Sequence, residues 1–226
     1  NTSLCAEKEV TVKPEYTSTI DKTVVKSYYN IDEGKWYIDW KVTAKAKNMT
    51  EVKVKENFPS WYSYVTHSNT TAKKEVTKTS ENEFSVPLVN GEAVFTITTS
   101  TSSLSWSDTN EVCLEDKKKI CDTDTPGYLT IQKVADKTKK ITQTDQEVNW
   151  NIVITANHAD IENFVIEDQF SDALSLEDVK IIKGGENKSL EKSELKDGKI
   201  FFTIKGTLKN NSSMTISVKT KVKNIS

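Results

Sequence analysis

With 226 residues, the chain has the length of about two ordinary domains. Its formal net charge of -2 gives neither the basic face that nucleic acid needs nor a polybasic membrane signal. No apolar run approaches the roughly 18 residues of a membrane span. All 31 basic residues are Lys, which removes the usual bidentate tool for phosphate and carboxylate recognition.

Thr, Ser, Val, Ile and Lys dominate, a composition that favours strands over helices. Taken in chain order, alternating apolar runs recur from "STIDKTVV" (Ser18–Val25) through "WYIDWKVTAKAKN" (Trp36–Asn48) and "KVKENFPSWYSY" (Lys53–Tyr64) to "NGEAVFTI" (Asn90–Ile97). Residues 113–126, rich in Asp, Lys and Thr and ending in Pro126-Gly127, read as a linker or hairpin. The runs then return as "LTIQKVAD", "VNWNIVITANH", "VIEDQFSDALSL" and "DGKIFFTI", each offset from its earlier match by 107 to 114 residues. Two tandem homologous units follow: 1–112 and 127–226, with 113–126 between them. Turn signals at Gly184-Gly185, Asp197-Gly198 and Asn210-Asn211 separate six or seven short strands per unit. The predicted class is all-β, two tandem immunoglobulin-like sandwiches without the Cys–Trp–Cys signature of antibody domains. A short helical turn around 172–178 is the one exception to the strand pattern.

Period-two alternation sends some polar residues inward. In the second unit Leu129, Ile131 and Lys133 share a face; Phe164, Ile166 and Asp168 share another. Met214, Ile216, Val218, Val222 and Asn224 line a third. The first unit repeats the set: Ile20 with Lys22, Val52 and Val54 with Glu56, and Leu104, Trp106 and Asn110 with Val112. Trp40 and Trp150 point inward by the same parity. An unpaired ammonium there would cost several kcal/mol. The bland account is a buried Lys–acid pair, with the Asn merely ending a strand. The reactive account starts from desolvation, which strips the Lys proton and leaves a nucleophilic amine. The Asn carboxamide carbon is the electrophile. Asp168 or Glu56, pushed towards its protonated form, polarises the amide oxygen and shuttles protons. Ammonia leaves, and a Lys133–Asn224 or Lys22–Asn110 isopeptide bond remains.

These residues carry a resemblance. Both halves resemble the Ig-like, intramolecular isopeptide-forming domains of Gram-positive pilins and adhesins, and the related repeat domain of bacterial surface stalks. The first-strand Lys, "WKVTAKAKN" and "WNIVITAN", "VKVKENFP" and "FVIEDQFS", and the closing "SWSDTN" and "KTKVKN" carry it. Glu56 departs from the family's usual Asp, and the second copy lacks the Pro after its acid strand. The resemblance implies an extracellular, cell-wall-attached structural module with no cofactor, whose bond forms autocatalytically in a single turnover. Its partners would be neighbouring domains of the same surface protein.

Cys113 and Cys121 bracket a charged segment and suit a local disulfide; Cys5 with Cys113 is the rival, and spacing does not decide. No second Cys pair or clustered His supports zinc. Trp61, Tyr62 and Tyr64 either close one end of a sandwich or stack on a sugar or matrix ligand. His67 and His158 lie in different units without ligand spacing. The expected function is therefore a stalk, pilus or adhesin segment rather than an enzyme. The alternative is a recognition module for a glycan or host-matrix ligand. Starting at Asn1 without a signal peptide, the sequence reads as a mature form or an excised fragment.

Overall fold

The computed structural model describes residues 17–115, 119–135, 140–196 and 199–224, with side chains described outside 192–196. Cys5 lies outside them. Every long regular element among the described residues is a strand. In order these are β1 (Ser18–Asn30), β2 (Lys35–Ala46), β3 (Glu51–Asn57), β4 (Ser63–His67), β5 (Thr77–Lys78), β6 (Glu83–Pro87), β7 (Glu92–Thr101) and β8 (Asn110–Glu115). There follow β9 (Ile120–Asp124), β10 (Tyr128–Ala135), β11 (Glu147–Asn157), β12 (Asp160–Gln169), β13 (Leu174–Lys183), β14 (Ser189–Lys196), β15 (Lys199–Leu208) and β16 (Ser213–Val222). The turn expected around 172–178 is confined to 172–173, and β13 starts at Leu174.

Three sheets result: β14-β15-β12-β1-β2-β7-β4, β10-β11-β16-β13 and β5-β6-β3-β8-β9. Alternation buries one face of each, so the sheets stack in sandwich-like layers around apolar clusters. Val42, Phe95 and Ile97 of the first sheet meet Val54, Phe84 and Leu114 of the five-stranded sheet. Phe164, Phe202 and Ile204 meet Ile154, Met214 and Ile216 of the four-stranded sheet. One face of β2 serves both ends: Val42 and Ala44 lie in the first cluster, Trp40 and Ile38 in a third, and Trp36 against the second.

Strand pairing repeats in order. β1–β2, β2–β7, β3–β6, β4–β7 and β5–β6 correspond to β10–β11, β11–β16, β12–β15, β13–β16 and β14–β15. Trp40 Nε1 donates to Thr99 Oγ1 at 2.9 Å, and Trp150 Nε1 to Thr220 Oγ1 at 3.2 Å, which fixes β7 and β16 as counterparts. "DGKIFFTI" therefore stands in the place of β6, not of β7, its partner in the sequence comparison. Among the described residues, only the first unit has strands in the places of β8 and β9. The segment expected to join the units is in large part strand, since β8 and β9 pair from Asn110↔Asp124 to Leu114↔Ile120.

Beyond a bulge at Val24/Lys26, β1 runs past its own unit and pairs in parallel with the start of β12, Lys26↔Asp160 to Tyr28↔Glu162. At the turn into β10, a Cβ on Gly127 would sit 2.9 Å from Ala159 Cβ and 3.1 Å from Ile161 Cδ1. Gly127→Val should therefore destabilise the second unit by about 1–3 kcal/mol, read as a lower denaturant midpoint at unchanged slope.

Candidate functional site

β1 delivers Lys22 into the first core because Ile20, Lys22 and Val24 share the face opposite Val42 and Trp40. β3 delivers Glu56 by the same alternation, after Val52 and Val54. β8 opens with Asn110, whose inward neighbours are Val112 and Leu114. Glu56 is level with Val112 and Asn57 with Glu111, so Asn110 is the diagonal neighbour of Glu56 on one face of the five-stranded sheet. Lys22 reaches across from the opposite layer. The three residues are 3%, 0% and 1% exposed.

Lys22 Nζ donates to both Glu56 oxygens at 2.7 Å and lies 5.1 Å from the Trp40 ring centroid. Burial pushes the Lys22 pKa down, against the pull of Glu56, Asp124 and Asp122. It also pushes Glu56 up, against Lys22 and, more weakly, Asn110. Both shifts favour moving the proton from amine to carboxyl, and that transfer leaves the proton count of the pair unchanged. Asn110 is near enough to bias Glu56, but neither its Nδ2 nor its Oδ1 attains hydrogen-bond geometry with any partner. A buried carboxamide with both polar atoms unpaired costs several kcal/mol.

Two residues that the sequence reading passed over hold this centre. Lys22 N–H donates to Asp122 Oδ2 at 2.8 Å, and Val24 N–H to Asp124 Oδ2 at 2.6 Å. The carboxylates of β9 thus take the place of a neighbouring strand along the edge of β1. Their spacing of two within "CDTDT" is the one signal in the sequence, in a segment that composition alone reads as a linker or hairpin. Asp124 Oδ1 is also 2.6 Å from His158 Nε2, joining the two units. Cys113 and Cys121, adjacent to this edge, are disulfide-bonded. Glu111 lies beside the two sulfurs. The disulfide leaves them no thiolate for a metal.

The second centre is built differently. Lys133 Nζ donates to Asp168 Oδ1 at 2.7 Å and lies 4.2 Å from the Phe170 ring centroid and 5.0 Å from that of Trp150. Asp168 Oδ2 is buried without a hydrogen-bond partner. The Lys133 side chain stays 29% exposed, because β10 lies at a sheet edge with Ile131 open to solvent. Asn224 is not brought to this pair. Lys133 is level with Ile152, and Ile152 with Ile216, so the run from Ile216 to Val222 alone carries the chain about 20 Å away. Asn224 is exposed beyond that point. It follows Thr220 by four residues, whereas Asn110 follows the matching Thr99 by eleven.

The aromatic residues divide. Tyr62 is buried and donates its hydroxyl to Asp108 Oδ2 at 2.9 Å. His67 bridges the Tyr64 hydroxyl and the Val76 carbonyl at 2.6 and 2.8 Å, an assignment that makes Nε2 the donor to the carbonyl. Trp61 and Trp106 are 57% and 69% exposed. Trp106 therefore does not share the inward face of Asn110; 102–109 is bend and turn rather than strand. No family model matches the chain, and no curated protein matches it.

Proposed function

We propose that the chain is a force-bearing segment of a bacterial surface stalk, pilus or adhesin. It is built from two immunoglobulin-like sandwiches, of which the first is tied internally by a Lys22–Asn110 isopeptide bond. The observation that carries this reading is the buried set Lys22, Glu56 and Asn110, with the carboxamide unpaired and burial pushing the Lys22 pKa down and the Glu56 pKa up.

The bland alternative, a Lys–Glu pair beside an idle Asn, leaves two buried polar atoms unpaired. Bond formation removes that cost. The Lys22 amine attacks Asn110 Cγ while protonated Glu56 hydrogen-bonds Oδ1. The new Nζ–Cγ bond forms, the Cγ–Nδ2 bond breaks, and Glu56 passes the amine's proton to the departing nitrogen. Ammonia leaves and Glu56 is restored. Trp40 keeps water from the carbon under attack. No cofactor enters the balance.

An intact mass tests the reading. The chain, with its disulfide reduced, should weigh one ammonia less than its sequence, and a peptide map should join Lys22 to Asn110. An unshifted mass overturns the proposal.

The second reading, a recognition module for a glycan or matrix protein at the cell surface, is favoured by the exposure of Trp61 and Trp106. A glycan and matrix-protein binding screen of the parent and of Trp61→Ala decides it, with loss of binding in the variant as the supporting result.

A further inference from the structure

The second unit has an edge that the first unit fills. In the first, β8 lies along β3 and presents Asn110 to Glu56 and Lys22. In the second, β12 takes the part of β3, with Asp168 in the place of Glu56. Its corresponding edge pairs with β1 only from Asp160 to Glu162. From Phe164 to Gln169 that edge has no ladder partner among the described residues. Beside it opens a cleft of about 290 Å³ lined by Trp36, Leu104, Trp106, Leu129, Ile131 and Val165. Leu129 and Ile131 belong to the face of β10 that a covering strand would bury. Lys133, two residues beyond Ile131 on β10, and Asp168, three beyond Val165 on β12, form the neighbouring pair, in which Asp168 Oδ2 has no partner.

We infer that the open edge of β12 receives an added β-strand bearing an Asn, and that Lys133 and Asp168 join that Asn to the second unit by an isopeptide bond. The inference rests on the chemistry proposed for Lys22, Glu56 and Asn110. The occupant is an extended segment of the pattern Asn-x-apolar-x-apolar, because β8 shows how such a strand sits: Asn110 diagonal to the acid, Val112 and Leu114 into the core. Main-chain hydrogen bonds to β12 supply binding, and the inward side chains supply register. On docking, the strand covers Ile131 and excludes water from Lys133, which then passes its proton to Asp168. The amine attacks the Asn Cγ; the Nζ–Cγ bond forms and the Cγ–Nδ2 bond breaks. Asp168 gives its proton to the departing nitrogen, which leaves as ammonia, and takes in return the proton that Nζ sheds. Three separate features find one cause in the unfilled edge: the exposure of Ile131 and Lys133, the orphaned Asp168 oxygen, and the apolar cleft.

The test uses the full chain and a synthetic peptide with the 107–115 sequence carrying Cys113→Ser. A second arm fuses the same sequence after Ser226 through a flexible Gly/Ser linker, which raises its effective concentration to the millimolar range. The peptide should add its own mass less one ammonia, mapped to Lys133; the fusion should lose one ammonia more than the unfused chain. Adduct with the free peptide shows capture from another molecule; loss in the fusion alone shows that the strand must be supplied in the same chain. Both should vanish in Lys133→Ala, whose substituted side chain is partly exposed, and with Asn110→Ala in the added sequence. No further ammonia loss in either arm, or a linkage that survives Lys133→Ala, overturns the inference. The chain's own Lys22–Asn110 ammonia loss, read in the same spectrum, shows whether the underlying chemistry has failed instead.

Discussion

Glu56→Gln will fold but leave Lys22 and Asn110 unlinked, and its intact mass will equal the sequence mass. The amide keeps the shape of the carboxyl and one of the two oxygens to which Lys22 donates, at the centre of the first core, where Glu56 is fully buried. It cannot take the Lys22 proton or return one to the leaving nitrogen. Removing the carboxylate also removes a charge that holds the Lys22 pKa up, so the amine can still lose its proton; the reaction stops because no acid polarises Asn110 Oδ1 or protonates the departing nitrogen. Glu56→Ala will also be unlinked and will lose more stability. It removes one partner of a buried pair and strands the other beside Trp40, a change worth about 3–5 kcal/mol before loss of the tie is counted. The two variants together separate chemistry from packing. A peptide map of Glu56→Gln that still shows Lys22 joined to Asn110 would remove Glu56 from the reaction.

Lys22 and Glu56 were legible because each extends an alternating apolar run, and alternation is a local property. Ile20 and Val54 set the parity, and the buried faces of β1 and β3 follow it. Asn110 was placed by extending a strand back through Trp106, whereas 102–109 is turn and Trp106 is solvent-exposed. Its position at the first residue of β8 is set by pairing with β3 and β9, which alternation does not encode. Asn224 was misplaced for a related reason. "NGEAVFTI" and "DGKIFFTI" share turn chemistry and alternation, yet one is β7 beside β2 and the other is β15 beside β12. Which strand a segment pairs with is decided by contacts far apart in sequence. The parallel meeting of β1 and β12 is of the same kind: it needs the bulge at Val24/Lys26 and a long β1–β2 hairpin stiffened by stacking of Tyr28 on Tyr37 at 5.3 Å.

Asn110→Ala will lower the melting temperature of the first unit by roughly 10–20 °C and add about 30 nm to its length when stretched. The bond closes the chain between positions 22 and 110, a loop whose closure restricts the unfolded state by on the order of 4–5 kcal/mol if the arithmetic for disulfide loops transfers. For a unit of this size each kcal/mol is about 4–8 °C, so even a tie delivering half its ideal value falls in the expected range. Location matters as much as loop length. Lys22 lies in the seven-stranded sheet and Asn110 in the five-stranded one, so the bond crosses the core and fastens one layer to the other. Tension entering through β1 passes across it into β8 and reaches the second unit through β9, bypassing β2 to β7. The bypassed 88 residues (110 − 22) are hidden from extension. At about 3.6 Å per residue they account for the extra length once the bond is absent. Asn110→Ala keeps the Lys22–Glu56 pair, so the comparison isolates the tie from the cost of a stranded charge. If parent and variant melted within a degree or two of each other and released equal lengths under force, the first unit would not be covalently braced. The exposed Trp61 and Trp106 would then be the features around which a function should be sought.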